Sequence, residues 1–259
     1  MGPSGPRQSG KLRPSGPRQS GKLRPSGPRQ SGATLDAMAA VVLVHGANHG
    51  PWCWAKIVPP LRELGLRVET PDLYSQPNAS DPGAVQSAID ACAADGPVVV
   101  LGHSFGGFAI TQIDPATVAH LVYLAALFPT ESESESLGNP VVADFFDKME
   151  VTDGIMTAKP ERLRDVWYGD CSDDDVAFCA ARLRPHPIGS NPTVVARAAW
   201  RHAPTTYVVC EHDGSITLDY MHAAAQLADE SVSWPTSHSP FLSRPELVVD
   251  LLLDIANRR

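Results

Sequence analysis

Ser104 lies in the pattern Gly-His-Ser-Phe-Gly at residues 102–106, directly after the apolar run Val-Val-Val-Leu at 98–101. A serine between two glycines at the end of a strand is typical of a nucleophile elbow. This sharp strand-to-helix turn exposes the serine hydroxyl above the sheet. The flanking glycines leave room where the turn crowds the adjoining strand and helix. Ser104 is therefore the candidate nucleophile.

A serine hydroxyl becomes a nucleophile when a base within hydrogen-bond reach takes its proton, and that base is usually a histidine oriented by a carboxylate. Of the nine histidines, His238 follows the last predicted strand, at 231–234. In elbow enzymes the histidine comes last along the chain, so we predict that His238 is the base. His103 adjoins the serine, but its side chain is expected to point away, which favours a structural role.

The acid is expected between the serine and the histidine, after the strand predicted at 206–210. That position holds Glu211-His-Asp213-Gly, so both carboxylates are candidates. Asp213 lies one residue further into the loop, from where it can turn back toward the histidine, and we favour it. Glu211 stays the alternative.

Two backbone N–H groups are needed to stabilise the oxyanion of a tetrahedral intermediate. One is expected from Phe105, the residue after the nucleophile, and the other from Ala47, in the loop after the first strand. His45, in the same loop, suits a bracing role better than a catalytic one.

The elements that position these residues alternate along the chain. Apolar strands are predicted at 41–44, 66–70, 98–101, 120–125, 206–210 and 231–234. Helical patterns of about 10–14 residues separate most of them, which favours βαβ units. The sequence therefore predicts an α/β fold with a mostly parallel, doubly wound sheet covered on both faces.

The alternation stops between residues 128 and 204. This stretch has an acidic, Ser-rich patch and then two helix-like segments that are rich in aromatic residues. Insertions of this length within a compact domain are usually functional. We predict a helical lid at about 128–204.

Residues 3–32 contain an 11-residue repeat, Pro-Ser-Gly-Pro-Arg-Gln-Ser-Gly-Lys-Leu-Arg, twice in full and once truncated. Its prolines and glycines leave too little apolar surface for folding, so residues 1–36 are predicted to be a disordered basic tail, natural or artificial. The folded domain is predicted at 37–259. Residues 1–32 hold seven of the 21 basic residues and no acidic residue, which leaves 14 basic against 29 acidic residues in the rest of the chain. Such an acidic body argues against nucleic-acid binding.

Apolar runs are too short for a transmembrane helix, and no signal-peptide core is present, so no membrane partner is expected. The five cysteines form no Cys-x-x-Cys pair and no zinc pattern. Reduced thiols and a cytoplasmic location are therefore predicted. Neither a metal nor a cofactor is expected.

Three segments together resemble one enzyme superfamily: residues 45–54 (HGANHGPWCW), 102–107 (GHSFGG) and 237–245 (SHSPFLSRP). The chain, from about 39 to 258, resembles the α/β-hydrolase superfamily. Within it, the motifs are similar to the small-esterase branch of plant methylesterases, hydroxynitrile lyases and bacterial relatives. The resemblance implies the α/β-hydrolase fold, with the lid inserted after the strand that follows the elbow.

The same resemblance discriminates between reactions. Hydroxynitrile lyases of this branch place threonine after the first-loop histidine and lysine after the catalytic histidine. Here those positions are Gly46 and Ser239, so the lyase apparatus is absent. Branch members often carry tryptophan or a similar residue where Asn48 stands, and this departure bears on the acyl pocket or its access.

We therefore expect a cofactor-free serine hydrolase that cleaves a small, largely apolar ester through Ser104, His238 and Asp213. Two alternatives stay open. One is a C–C bond hydrolase or hydroxynitrile-lyase-like reaction on the same site, and the other is a non-catalytic small-molecule receptor. The expected partner is the ester itself, and the sequence leaves a homodimer open.

Overall fold

The structure is a computed structural model, and it describes residues 40–74, 82–94, 96–188 and 194–258. The predicted basic tail at 1–36 and the predicted start of the domain at 37 lie outside the described residues. Among the described residues, no helix combines the length and the apolar character needed to cross a bilayer. The five cysteines are all buried.

Strands and short helices alternate as the sequence predicts. The strands are β1 (Ala40–Val44), β2 (Arg67–Glu69), β3 (Val98–His103), β4 (Val118–Leu124), β5 (Met149–Thr152), β6 (Ile155–Ala158), β7 (His186–Pro187), β8 (Thr205–Cys210) and β9 (Glu230–Trp234). The α-helices are α1 (Val58–Glu63), α2 (Pro82–Ala93), α3 (Gly106–Thr111), α4 (Leu163–Val166), α5 (Asp173–Ala180), α6 (Leu218–Leu227), α7 (Pro240–Ser243) and α8 (Pro245–Ala256). Short 3-10 turns, such as Pro51–Trp54, connect several of them.

Six strands form one sheet in the order β2-β1-β3-β4-β8-β9, and every pairing in it is parallel. Every residue of β1 and β3 is buried, and so is all of β4 except Ala119. A parallel strand covered on both faces needs apolar residues on both sides, which explains the unbroken Val/Leu runs. Among the helices, α1 packs against α8, and α2 packs against α3. These two pairs fit two separate helical layers. The predicted fold class is confirmed.

Parallel pairing brings the carboxyl ends of the strands to one edge of the sheet. Val44 pairs with Gly102, His103 with Leu124, and Cys210 with Trp234. The loops that follow β1, β3, β8 and β9 therefore begin side by side. These are the loops that carry the candidate site residues.

The insertion between β4 and β8 is a mixture of helix and sheet, whereas the sequence predicts helices alone. It holds α4 and α5 together with a second, antiparallel sheet of order β5-β6-β7. Asp153 and Gly154 join β5 to β6 and both have positive φ, 51° and 75°. Two consecutive positive φ values are the requirement of the Asp-Gly hairpin turn. The lid is therefore built partly on a hairpin.

Candidate active site

Ser104 occupies a sharp turn between β3 and α3, and its φ of 52° is in the left-handed region. Its N–H donates to Leu124 O (3.2 Å), and its carbonyl accepts from Leu127 N–H (3.0 Å). A Cβ on Gly106 would lie 2.6 Å from Val44 O, so only glycine allows α3 to begin so close to β1. The backbone strain at Ser104 is thus held by β4 and by the close approach of β1, as in a nucleophile elbow.

Asp213 and His238 form a buried pair above the ends of β8 and β9. Asp213 Oδ2 lies 2.6 Å from His238 Nδ1, and the side chains are 0% and 1% exposed. The other carboxylate oxygen, Oδ1, accepts the N–H groups of Ser215 (2.7 Å) and Ile216 (2.8 Å). Hydrogen bonds therefore hold both oxygens of the carboxylate in place. The carboxylate in turn favours the tautomer of the neutral imidazole that carries its proton on Nδ1.

Glu211, the alternative acid, points elsewhere. It is exposed, and its Oε1 accepts a hydrogen bond from Ser233 Oγ (2.8 Å) on β9. The structure brings His238 together with Asp213 and not with Glu211.

The free nitrogen of His238, Nε2, is buried and makes no hydrogen bond in the structure, so the Ser104–His238 hydrogen bond is not formed. Such catalytic hydrogen bonds often tighten only when substrate binds. The backbone nevertheless joins the two residues through His103, whose Nε2–H donates to His238 O (2.9 Å). The rings of His103 and His238 lie 4.6 Å apart. Because burial holds the pKa of His103 well below 6.5, this ring stays neutral and braces the base.

The loop after β1 packs directly against the serine. A Cβ on Gly46 would lie 2.9 Å from Ser104 Cβ, so the loop approaches as closely as a glycine permits. His45 Nδ1 donates to Gly46 O (2.9 Å), and its Nε2 accepts from Leu73 N–H (3.1 Å). This bracing fixes the plane of the peptide whose N–H belongs to Ala47. Ala47 therefore follows directly after the residue that packs against Ser104, and Phe105 follows Ser104 itself in the chain.

Neutral rings surround the turn. His49 Nδ1 donates to Ala47 O (2.8 Å), its Nε2 accepts from Tyr168 OH (2.7 Å), and its ring lies 5.2 Å from Trp167. From β7, the His186 ring packs 4.7 Å from that of Phe105. The surroundings of Ser104 are thus aromatic.

Burial lowers the pKa of His49 to about 3 and that of His186 to about 4, from 6.5. Both histidines are therefore neutral when folded, and the unfolded chain takes up their protons first as the pH falls below 6.5. We expect each to reduce the free energy of unfolding by about 2 kcal/mol between pH 8 and pH 5. Urea unfolding at the two pH values measures this.

His186→Asn should remove about 2 kcal/mol of the loss between pH 8 and pH 5, whereas His222→Asn, on the exposed face of α6, is the surface control. An unchanged pH dependence in His186→Asn would contradict the expectation.

Asn48, left open by the sequence, connects the loop after β1 to the lid. Its φ is 61°, and its Nδ2 donates to Met156 O (2.9 Å) and Arg184 O (2.8 Å). Its N–H donates to Tyr74 OH (2.8 Å). Asparagine tolerates the left-handed conformation better than most residues, which is the one local signal for this role.

Two further lid residues hold the acid and base loops, and sequence reasoning missed both. Asp170 accepts the N–H of Ser237 (3.1 Å) and the hydroxyls of Ser237 and Ser243, the latter at 3.0 Å. The buried Lys148 donates to Gly214 O (3.3 Å), next to Asp213. Nothing in the local sequence marks either residue.

Within the described ranges, no group of three or more His, Cys, Asp or Glu side chains is arranged to hold a metal ion. The chemistry that these residues offer is nucleophilic: a strained serine, a histidine with one free nitrogen, and a buried carboxylate.

Comparison with known proteins identifies the family of this chain. Residues 41–251 match the model of the alpha/beta hydrolase family. Methylesterase 7 of Arabidopsis thaliana is 27% identical over 256 residues, covering 84% of this chain and 96% of the relative. The crystal structure of a pyrethroid hydrolase from Sphingobium faniae JZ-2 superposes with a TM-score of 0.69 at 25% identity, covering 85% and 97%. That of tomato methylketone synthase I, at 23% identity and a TM-score of 0.67, covers 85% and 98% and shows the fold alone. The chain belongs to the α/β-hydrolase family, among relatives that are esterases and hydrolases, and is an enzyme.

Proposed function

We propose that the enzyme is a carboxylic ester hydrolase that uses Ser104 as nucleophile, His238 as base and Asp213 as its orienting acid. The observation that carries the proposal is the buried 2.6 Å contact of Asp213 with His238. It lies at the sheet edge where β3 ends in the strained turn of Ser104. Along the chain the three residues follow the nucleophile–acid–base order of elbow hydrolases.

In the first half-reaction, Ser104 Oγ attacks the ester carbonyl carbon while His238 Nε2 takes the hydroxyl proton. The carbonyl electrons move to oxygen, and the N–H groups of Ala47 and Phe105 stabilise the resulting oxyanion. The intermediate collapses, the bond to the alcohol breaks, and His238 returns its proton to the leaving alcohol. Asp213 holds Nδ1–H throughout and stabilises the imidazolium.

In the second half-reaction, water replaces the alcohol. His238 Nε2 takes a proton from water as the oxygen attacks the acyl carbon, and a second oxyanion forms. When it collapses, the bond to Ser104 Oγ breaks and the serine recovers its proton. The products are a carboxylic acid and an alcohol.

We propose a neutral, largely apolar ester as substrate, because the charges near the site are already paired. Arg184 is bound to Asp72, and Lys148 pairs with Asp144 (2.8 Å). The neighbouring His186 is neutral, since burial lowers its pKa to about 4. A carboxylate on the substrate would lose its hydration without gaining a partner.

A matched pair of esters tests the proposal. p-Nitrophenyl butyrate and mono-p-nitrophenyl succinate have acyl groups of similar size, but only the second carries a carboxylate. We expect turnover of the butyrate with kcat/KM at least roughly tenfold higher, since leaving a charge unpaired costs more than 1.4 kcal/mol.

A fluorophosphonate probe should label Ser104 and no other residue, as peptide mapping would show. A protein that is neither labelled nor active on any ester of the panel is not a serine hydrolase. Release of cyanide from mandelonitrile would favour a lyase reaction, and tight ligand binding without turnover would favour a receptor. Equal rates on the two matched esters would reject the apolar substrate while leaving the hydrolase intact.

A further inference from the structure

Arg184 lies in the lid, between α5 and β7, and its guanidinium reaches the body of the domain. It forms a two-pronged pair with Asp72, with Nη1–Oδ2 at 2.9 Å and Nη2–Oδ1 at 2.7 Å. Asp72 follows β2, and the guanidinium also lies 4.4 Å from the centre of the Tyr74 ring. A planar guanidinium held by a carboxylate and an aromatic face has little freedom to move.

The same side chain is bound to the loop after β1. Nη2 and Nε donate to His49 O at 2.7 and 3.1 Å. The backbone adds a second connection, because Arg184 N–H donates to Asn48 O (2.8 Å) and Asn48 Nδ2 donates to Arg184 O (2.8 Å). One lid residue therefore makes four hydrogen bonds with two consecutive residues of this loop.

The loop needs such support. Asn48 has a φ of 61°, in the left-handed region; asparagine tolerates this conformation better than most residues, but the surrounding hydrogen bonds must still hold it there. Ala47, the expected oxyanion donor, lies between Asn48 and Gly46, which packs against Ser104. His45 holds the preceding peptide through Gly46 O, and the following peptide is held at Ala47 O by His49 Nδ1 and at the Asn48 N–H by Tyr74 OH. Arg184 anchors this following side to the lid through the carbonyl groups of Asn48 and His49.

We propose that Arg184 is a positioning residue for the oxyanion hole: it anchors the Ala47 loop to the lid and to Asp72, and so aims the Ala47 N–H at the reacting oxygen. The inference rests on the proposed ester hydrolysis. It makes the lid part of the catalytic apparatus, since the oxyanion donor is held in place from outside its own loop.

The test separates aiming from simple structural support. The serine hydroxyl adds to the carbonyl of a trifluoromethyl ketone, and the adduct carries an oxyanion. The matching methyl ketone binds in the same site but forms far less of this adduct. In Arg184→Ala we expect kcat to fall by roughly 10- to 100-fold, as for a misplaced catalytic group, with KM nearly unchanged. Affinity for the trifluoromethyl ketone should fall in parallel, and affinity for the methyl ketone should stay within about threefold.

Arg184→Lys is the second variant, because lysine keeps the charge but cannot make the two-pronged contact. It should lose affinity for the trifluoromethyl ketone and not for the methyl ketone, by a smaller factor than Arg184→Ala. The control is Arg182→Ala, whose side chain donates to Phe178 O (2.8 Å) on the lid surface. Its kinetics should match those of the natural enzyme.

Unchanged kcat in both Arg184 variants would overturn the inference, and so would an equal loss of affinity for the two ketones. If Arg184→Ala does not fold, Arg184→Lys decides by the same criteria. A natural enzyme that fluorophosphonate does not label would instead refute the proposed function itself.

Discussion

Replacing Ser104 with alanine is expected to abolish ester hydrolysis, with a loss on the order of 10⁶ in kcat, as when the nucleophile of other serine hydrolases is removed. The reason is chemical, since no other hydroxyl is placed in the turn between β3 and α3. Residual catalysis would come from the oxyanion donors and from binding alone. Steady-state hydrolysis of p-nitrophenyl butyrate measures the loss.

The fold of this variant should be retained, because the backbone of residue 104 is held through its own N–H and carbonyl groups. Alanine accepts a φ of 52° no better than serine, so we expect a stability change of no more than about 1 kcal/mol. Ser233→Ala, an exposed serine on β9, is the matched control and should keep its activity. If Ser104→Ala keeps full activity while remaining unlabelled by fluorophosphonate, the nucleophile lies elsewhere.

The central sheet and its edge were predictable because both depend on local patterns. Buried parallel strands are continuous apolar runs, and parallel pairing forces their ends together. Once Ser104 is assigned to the end of β3, the chain order of elbow enzymes places its acid and base in loops after later strands. Chain order led to His238 and to two candidate acids, Glu211 and Asp213, and the position of Asp213 further into the loop favoured it. Asp213 and His238 lie 2.6 Å apart in the structure.

The turn of the hairpin in the lid could have been predicted from the sequence, although we predicted helices there. Asp153-Gly154 is a strong hairpin dipeptide, but the strands beside it are four residues long, and only one residue of each is buried. Because they bury little, they show no apolar run, and the aromatic residues elsewhere in the insertion favoured helices.

The contacts that join the lid to the catalytic loops could not be predicted. Arg184 meets His49 across 135 residues, and Asp170 meets Ser237 across 67. Neither partner has a local pattern that points to the other, since each contact depends on how the whole insertion packs. Exposed charged residues such as Asp170 are ordinary on any surface, so their role becomes visible only in three dimensions.

Replacing Asp213 with asparagine is expected to lower kcat by about 10⁴ while leaving KM and the fold nearly unchanged. The asparagine oxygen can still accept the N–H groups of Ser215 and Ile216, so the loop is kept. Its NH₂ group would then face His238 Nδ1 and donate to it. The neutral imidazole would carry its proton on Nε2, where the lone pair is needed to accept the proton of Ser104.

Glu211→Gln is the matched control for this acid, because it makes the same chemical change two residues earlier in the same loop. Its carboxylate contacts Ser233 Oγ at 2.8 Å, away from the histidine, so we expect activity within about twofold of the natural enzyme. The opposite result, a large loss in Glu211→Gln and none in Asp213→Asn, would reverse the assignment of the acid. Equal moderate losses in both would mean that the loop, not either carboxylate, sets the orientation of His238. A large loss confined to Asp213→Asn would show that the buried pair fixes the tautomer of the base.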